Sequence, residues 1–212
     1  MGAGKVGTTI ARAAVAAGYD VRMSGSGSVS RLALTAEILA PGATPSTTSE
    51  VVKHASLILL AVPMHRFREL DHDLFDGRIV IDAMNYWEPI DGNDPELAAD
   101  PAGSTSVVQR WFPGARIVKS LNQLGYHEFE ELRRPRGAPD RLAQGVAADD
   151  SAARAAVMEL VDRLGFDPVD AGTLADTGVL GPDGSAFGGA LPAGELRELI
   201  ARNRARADTA FP

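Results

Sequence analysis

Met1-Gly2-Ala3-Gly4-Lys5-Val6-Gly7 is a GxGxxG run that leads straight into helical spacing, with Ile10, Ala14 and Ala17 on one face and Gly18 as the stop. Tyr19-Asp20-Val21-Arg22-Met23 then reads as a short strand. A glycine loop followed by helix and strand is the second half of a dinucleotide fingerprint. Gly2 allows the tight turn, Gly4 lets a pyrophosphate approach the backbone, and Gly7 lets the helix pack closely on the strand. The unpaired N–H groups of the first helical turn then face the phosphates, which makes Gly2, Ala3, Gly4, Lys5 and Val6 candidate cofactor contacts. The competing interpretation is a glycine-rich turn that holds nothing.

The fingerprint ordinarily follows an apolar strand, and only Met1 precedes Gly2. In a doubly wound sheet that strand is central and lies beside the nucleotide crevice. Five or six buried apolar residues are worth roughly 1.5–3 kcal/mol each, a sum on the order of 10 kcal/mol that rivals the stability of a whole domain. The expectation is a natural start several residues upstream of Met1.

About 20 residues past the glycines, NAD-selective sites place an Asp or Glu that binds the ribose 2′-hydroxyl. The corresponding stretch here is Ser24-Gly25-Ser26-Gly27-Ser28-Val29-Ser30-Arg31, which contains no acid. Serine hydroxyls can donate to a phosphate and Arg31 can supply charge. NADP is therefore expected over NAD, with Ser24, Ser26 and Arg31 at the 2′-phosphate. The alternative is a flexible polar loop that accepts either nucleotide.

The remaining N-terminal half alternates helix and strand. Residues 31–39 read as a helix, 43–46 as a weak edge strand, and Thr48-Ser49-Glu50 as the cap of a short helix over 51–54. Ser56 to Val62 is a continuous apolar strand, Pro63 to Phe75 a helix, and Arg78 to Ala83 another buried strand. A helix over 106–112 and a strand over 115–121 complete an α/β, Rossmann-type doubly wound parallel sheet over residues 1–124, with the first strand absent from the sequence. Residues 125–212 read as a small C-terminal α/β domain. It holds a helix over 126–134, a strand over 141–147 and an amphipathic helix capped by Asp149-Asp150 and stopped by Gly165. A strand over 166–171, a glycine-rich loop over 178–194 and a final charged helix follow.

Composition narrows the classes. The 212 residues are 45% hydrophobic and 23% charged, with mean hydropathy −0.05, which is globular. A net charge of −7 disfavours nucleic-acid and anionic-membrane partners. The absence of Cys removes disulfides, thiolate nucleophiles and thiolate metal sites. The longest apolar run is too short to span a bilayer and no signal-peptide pattern opens the chain, so a cytoplasmic protein is expected. Eighteen Arg against three Lys reflect a GC-rich genome rather than function.

The chain resembles the NADP-dependent coenzyme F420 oxidoreductase family. The residues that carry the resemblance are Gly2 to Gly7, the serine loop and Leu60-Ala61-Val62-Pro63. With them go Val80-Ile81-Asp82-Ala83-Met84-Asn85, Ile117-Val118-Lys119-Ser120-Leu121-Asn122, and Leu164 to Gly172 as a second-domain signature. The resemblance implies a nucleotide domain, a small second domain, NADP as cofactor and the deazaflavin coenzyme F420 as co-substrate in the cleft between them. It departs from the family in the missing strand and in having no Arg directly after the first serine.

Ligands of such sheets bind beyond the carboxyl ends of the strands. Those ends supply Val62, Pro63 and Asn85 as further cofactor contacts, and Met64, His65, Tyr86, Trp87 and Asn122 as candidate deazaflavin contacts. They offer aromatic, thioether and amide groups with few charges. That suits hydride transfer, in which both rings carry the chemistry and no residue is required as a catalytic acid or base. Bland roles compete: Tyr86 and Trp87 as loop packing, His65 as a solvated helix start, Lys119 as structural. His65, Asp71, His72 and Asp73 look like metal ligands but lack the i, i+4 spacing of helical zinc pairs, and no metal is expected. Ser24-Gly25-Ser26-Gly27 does not match a Gly-x-Ser-x-Gly elbow. The expected partners are small redox cofactors. Cleft enzymes of this size are often homodimers, and no stretch of the sequence marks an interface. An NADPH-dependent imine or carbonyl reductase, similar to pyrroline-carboxylate reductases, is the second functional reading, and a non-catalytic NADP-binding sensor is the third.

Overall fold

The structure is a computed structural model and describes residues 1–100 and 102–210. Helix α1 (Lys5–Ala16) follows the glycine loop and ends at Gly18, whose φ of 85° only glycine adopts freely. Strand β1 (Arg22–Met23) pairs in parallel with β2 (Thr44–Pro45), and α2 (Val29–Leu39) connects them. Helix α3 (Thr48–His54) is capped one residue earlier than the sequence suggested. Thr47 accepts from the Glu50 amide while the Glu50 carboxylate accepts from the Thr47 amide, a complete capping box.

Strands β3 (Leu57–Leu60), β4 (Ile79–Asp82) and β5 (Arg116–Lys119) run parallel in that order. The expected single helix between β3 and β4 is absent. Two 3₁₀ segments, Met64–Glu69 and His72–Phe75, take its place. Met64, Phe67 and Leu70 recur every third residue, which fits three residues per turn, and Asp71 caps the second segment by accepting from the Asp73 amide. Short helices α4 (Glu88–Asp91) and α5 (Pro95–Ala99) precede α6 (Ser104–Trp111), and α7 (Tyr126–Glu131) follows β5.

The C-terminal strands β6 (Ala143–Ala147) and β7 (Asp167–Gly172) extend the same five-stranded sheet. Strand β6 meets β5 antiparallel at Lys119 and Ala147, and β7 runs parallel to β6. Helix α8 (Ser151–Leu164) joins them, opened by Asp150 and closed by left-handed Gly165. Its Val157, Val161 and Leu164 share one core with Ile10 of α1, Val118 of β5 and Phe129 of α7. Helix α9 (Ala193–Ala210) covers the outer strands through Leu196 and Ile200.

Among the described residues, β1–β2 and the five-stranded sheet are separate ladders. Met1 and Gly2 lie between them. Met1 N donates to Leu59 O at 2.6 Å and Met1 O accepts from the Ala61 amide, while Gly2 N donates to Ser24 O.

Candidate active site

Helix α1 is preceded by Gly4, which is extended and offers no side-chain cap, and its first turn carries no acid. The orphan amides of that turn are thus free of local acceptors, with the positive end of the helix dipole behind them. Each glycine of the loop has a distinct reason to be glycine. Gly2 has φ 101°, and a Cβ there would stand 2.3 Å from Ala61 O. A Cβ on Gly7 would stand 2.0 Å from the carbonyl oxygen of Gly2, so this glycine packs the helix on its own entry loop. A Cβ on Gly4 would meet nothing within 4 Å. That open space is where a pyrophosphate would approach, and the loop fits one.

A cavity of about 1130 Å³ opens over this loop. It gathers Gly2, Ala3, Gly4, Lys5, Val6, Ser24, Ser26, Arg31, Val62 and Pro63, all the sequence-derived nucleotide contacts except Asn85. Ser24 is only 2% exposed and its carbonyl is taken by Gly2, so Ser26, Ser30 and Arg31 present the exposed polar groups. Ser28 caps α2 and exchanges a hydrogen bond with Ser30 at 2.9 Å. Among the described lining residues the one acid is Glu69, and Arg66 grips it with bonds of 2.9 and 2.6 Å that hold its carboxyl below the usual range.

The sequence did not point to Thr35, Thr48, Arg66 or Tyr126 in this wall. The i, i+3 spacing of Arg66 and Glu69 was a usable signal. Tyr126 offered none, because 121 residues separate it from Lys5, whose ammonium donates to its hydroxyl at 3.0 Å. That bond raises the Lys5 pKa and ties the nucleotide loop to α7.

A second polar cluster sits at the ends of β4 and β5. Asp82 is fully buried and accepts from Thr105 Oγ1 at 2.7 Å and from the Met84 amide at 2.9 Å. Lys119, 2% exposed, stands 3.3 Å from Asp82 and also donates to Met84 O. Burial pushes the Lys119 pKa down and the Asp82 charge opposes that push. Beyond them Leu121 adopts φ 60°, an unusual conformation for a branched side chain, and the turn brings Asn122 against Asn85. The Asn122 carboxamide donates to Asn85 Oδ1 and the Asn85 carboxamide donates to the Asn122 backbone carbonyl, each at 3.0 Å, and Asn122 also donates to Leu180 O at 2.7 Å. Asn122 Oδ1 has no partner among the described residues.

The candidate deazaflavin contacts do not converge on the large cavity. Met64 is 1% exposed and belongs to the core with Ile58, Phe67 and Met84, which removes it from ring binding. The His65 ring pairs with Asp91 at 2.9 Å, and Asp91 also accepts from the amides of His65 and Trp87, closing the short helix α4. The Tyr86 hydroxyl donates to Gly92 O and accepts from the Asp94 amide, so it fastens its own loop. Trp87 is exposed and meets Phe187 edge-on at 5.6 Å. Asn85 is correspondingly a partner of Asn122 rather than a cavity residue. His72 pairs with its neighbour Asp73 at 2.9 Å.

Residues 1–86 match the family described as NADP oxidoreductase coenzyme F420-dependent. Over that stretch the chain is similar to this family. The protein is thus an NADP-dependent oxidoreductase, and its glycine loop, serine loop and Val62-Pro63 all lie within the match. The match ends before Leu164 to Gly172, which the structure shows as the end of α8, its Gly165 cap and β7. The hypothetical protein SMa0349 from Sinorhizobium meliloti is 26% identical with a TM-score of 0.77, over 90% of this chain and 92% of that one. A protein from Arthrobacter sp. FB24, provisionally named an F420-dependent NADP-reductase, is 23% identical with a TM-score of 0.68, over 98% and 91% of the two chains. A pyrroline-5-carboxylate reductase from Coxiella burnetii is 15% identical with a TM-score of 0.53, over 99% and 69%. The last two establish a shared Rossmann-type fold.

Proposed function

We propose that the protein transfers hydride between NADP(H) and the deazaflavin coenzyme F420. The observation that carries this reading is the uncapped start of α1 opening, across an unobstructed Gly4, onto a cavity whose second-strand end holds Ser26, Ser30 and Arg31 and no acid. When bound, the two coenzymes supply the redox chemistry themselves, exchanging hydride between ring carbons about 3–3.5 Å apart. The chain's task is positioning. The first-turn amides hold the pyrophosphate and Arg31 the 2′-phosphate, while Val62 and Pro63 at the end of β3 back the nicotinamide. Beyond the strand ends the exposed Trp87, edge-on to Phe187, offers an aromatic surface suited to a flat deazaflavin.

The test is to mix the purified protein with NADPH and oxidised F420 and follow the deazaflavin absorbance. Bleaching is expected. Tight NADPH binding without bleaching would instead indicate a different acceptor or a sensor. One feature favours an imine or carbonyl reductase as the second reading: the Tyr126 hydroxyl, held by Lys5 on the cavity wall, is a proton donor of the kind such a reduction requires. NADPH oxidation by small cyclic imines, abolished in Tyr126→Phe, would select that reading.

A further inference from the structure

The side-chain cations in the wall of the large cavity are Lys5, Arg31 and Arg66, and Arg66 is paired with Glu69. Lys5 occupies the first position of α1, at the positive end of the dipole, where acidic side chains are ordinarily the stabilising ones. A cation there opposes the helix it begins. Among the described residues no carboxylate pairs with it. Its ammonium donates to the Tyr126 hydroxyl at 3.0 Å and lies 5.0 Å from the centre of the same ring. Tyr126 opens α7, which is anchored by buried Phe129 and by the Arg12–Glu130 bridge to α1 at 2.5 Å. The His127 ring lies 4.1 Å from that of Tyr126. An ammonium has three donors, and Tyr126 takes one. Lys5 is thus fixed in direction, with two donors and its whole charge unspent, beside the open space over Gly4.

We propose that the Lys5 side chain is the counter-charge of the NADP(H) pyrophosphate and that Tyr126 is its positioning residue, a role that rests on the nucleotide reading of this cavity. The dipole, the first-turn amides and the ammonium then act on one anion, and the repulsion between Lys5 and its own helix is relieved when that anion binds. Tyr126 keeps the flexible four-carbon stem out of bulk water, so less freedom is lost on binding. Lys5 and Arg31 divide the cofactor between them. Lys5 holds the phosphates that NADPH and NADH share, and Arg31 the one that distinguishes them.

The experiment titrates NADPH and NADH, with no acceptor present, into the parent, Lys5→Gln, Lys5→Arg, Tyr126→Phe and the double variant Lys5→Gln/Tyr126→Phe. Glutamine can still donate to Tyr126 but carries no charge. Lys5→Gln is therefore expected to weaken both nucleotides alike, by roughly ten- to a hundredfold. It should also flatten the salt dependence of binding, and without nucleotide it should melt within about 2 °C of the parent. Lys5→Arg should keep most of the affinity. Tyr126→Phe should weaken both nucleotides about fivefold. In the Lys5→Gln background it should change nothing further, because no charge is left to position. A loss confined to NADPH would overturn the proposal by assigning Lys5 to the 2′-phosphate. So would a Tyr126→Phe effect that persists in the double variant, which would make Tyr126 a contact in its own right. A parent that binds both nucleotides with no loss in Lys5→Gln would sink this inference alone, whereas a parent that binds neither would overturn the nucleotide reading with it.

Discussion

At the start of α1 the backbone amides meet no capping side chain, the glycines leave room, and the walls carry exposed serine and arginine groups. At the ends of β4 and β5, a short way along the same sheet, Asp82, Lys119, Thr105 and the Met84 backbone consume one another's hydrogen bonds. The first region is held ready for an anion and the second is held shut. The difference lies in whether polar groups find partners within the protein, since a buried polar group without one costs free energy that only a ligand or water can offset.

The largest effect should come from breaking the closed region. Lys119→Met leaves Asp82 as an unpaired buried charge and should cost about 3–5 kcal/mol of unfolding free energy in urea titration. Adding Asp82→Leu should recover part of that loss. A smaller effect belongs to the Met1 ammonium, whose pKa burial lowers from 8.0 to about 6. The unfolded chain then binds more protons than the folded one between those values, so stability should rise with pH from about 6 to 8, by roughly 2–3 kcal/mol, and lie at its lowest below pH 6. N-terminal acetylation should remove that part of the pH dependence.

In the open region, Arg31→Ala should weaken NADPH binding by roughly ten- to a hundredfold, the loss of one charge-assisted bond, and leave NADH binding nearly unchanged. Equal losses for both nucleotides would show that this loop does not read the phosphate. The smallest expected change sharpens the contrast most. Gly4→Ala should melt within about 0.5 kcal/mol of the parent, because its Cβ meets no protein atom within 4 Å. It should nevertheless bind NADPH about tenfold more weakly. Gly7→Ala, with its Cβ on a backbone oxygen, should fail in stability as well.

Ten of the residues that line the large cavity were legible in the sequence, because the glycine loop, the second-strand end and Val62-Pro63 carry them in three short stretches. The candidate deazaflavin contacts were less legible. Strand ends were located correctly by their apolar runs, but residue type could not tell that His65 would turn to Asp91, that Tyr86 would fasten its own loop or that Met64 would fill the core. Those outcomes depend on neighbours that the local sequence does not contain.

By itself the sequence determined the boundaries of α1 and α8, the apolar strands β3 to β5 and the acid-free loop after β1. The ends of α8 show why, since they rest on groups a few residues apart: Asp150 capping Ala153 and Gly165 closing the helix in left-handed geometry. Only the tertiary structure decided the 3₁₀ path from Met64 to Phe75, the pairing of Asn85 with Asn122 across 37 residues and of Lys5 with Tyr126 across 121, and the antiparallel meeting of β6 with β5. A cap or a turn is selected by hydrogen bonds that form within one helical turn whatever the rest of the chain does. A contact between distant residues exists only once the sheet and its covering helices have packed, and it is chosen by the shape and burial that packing leaves.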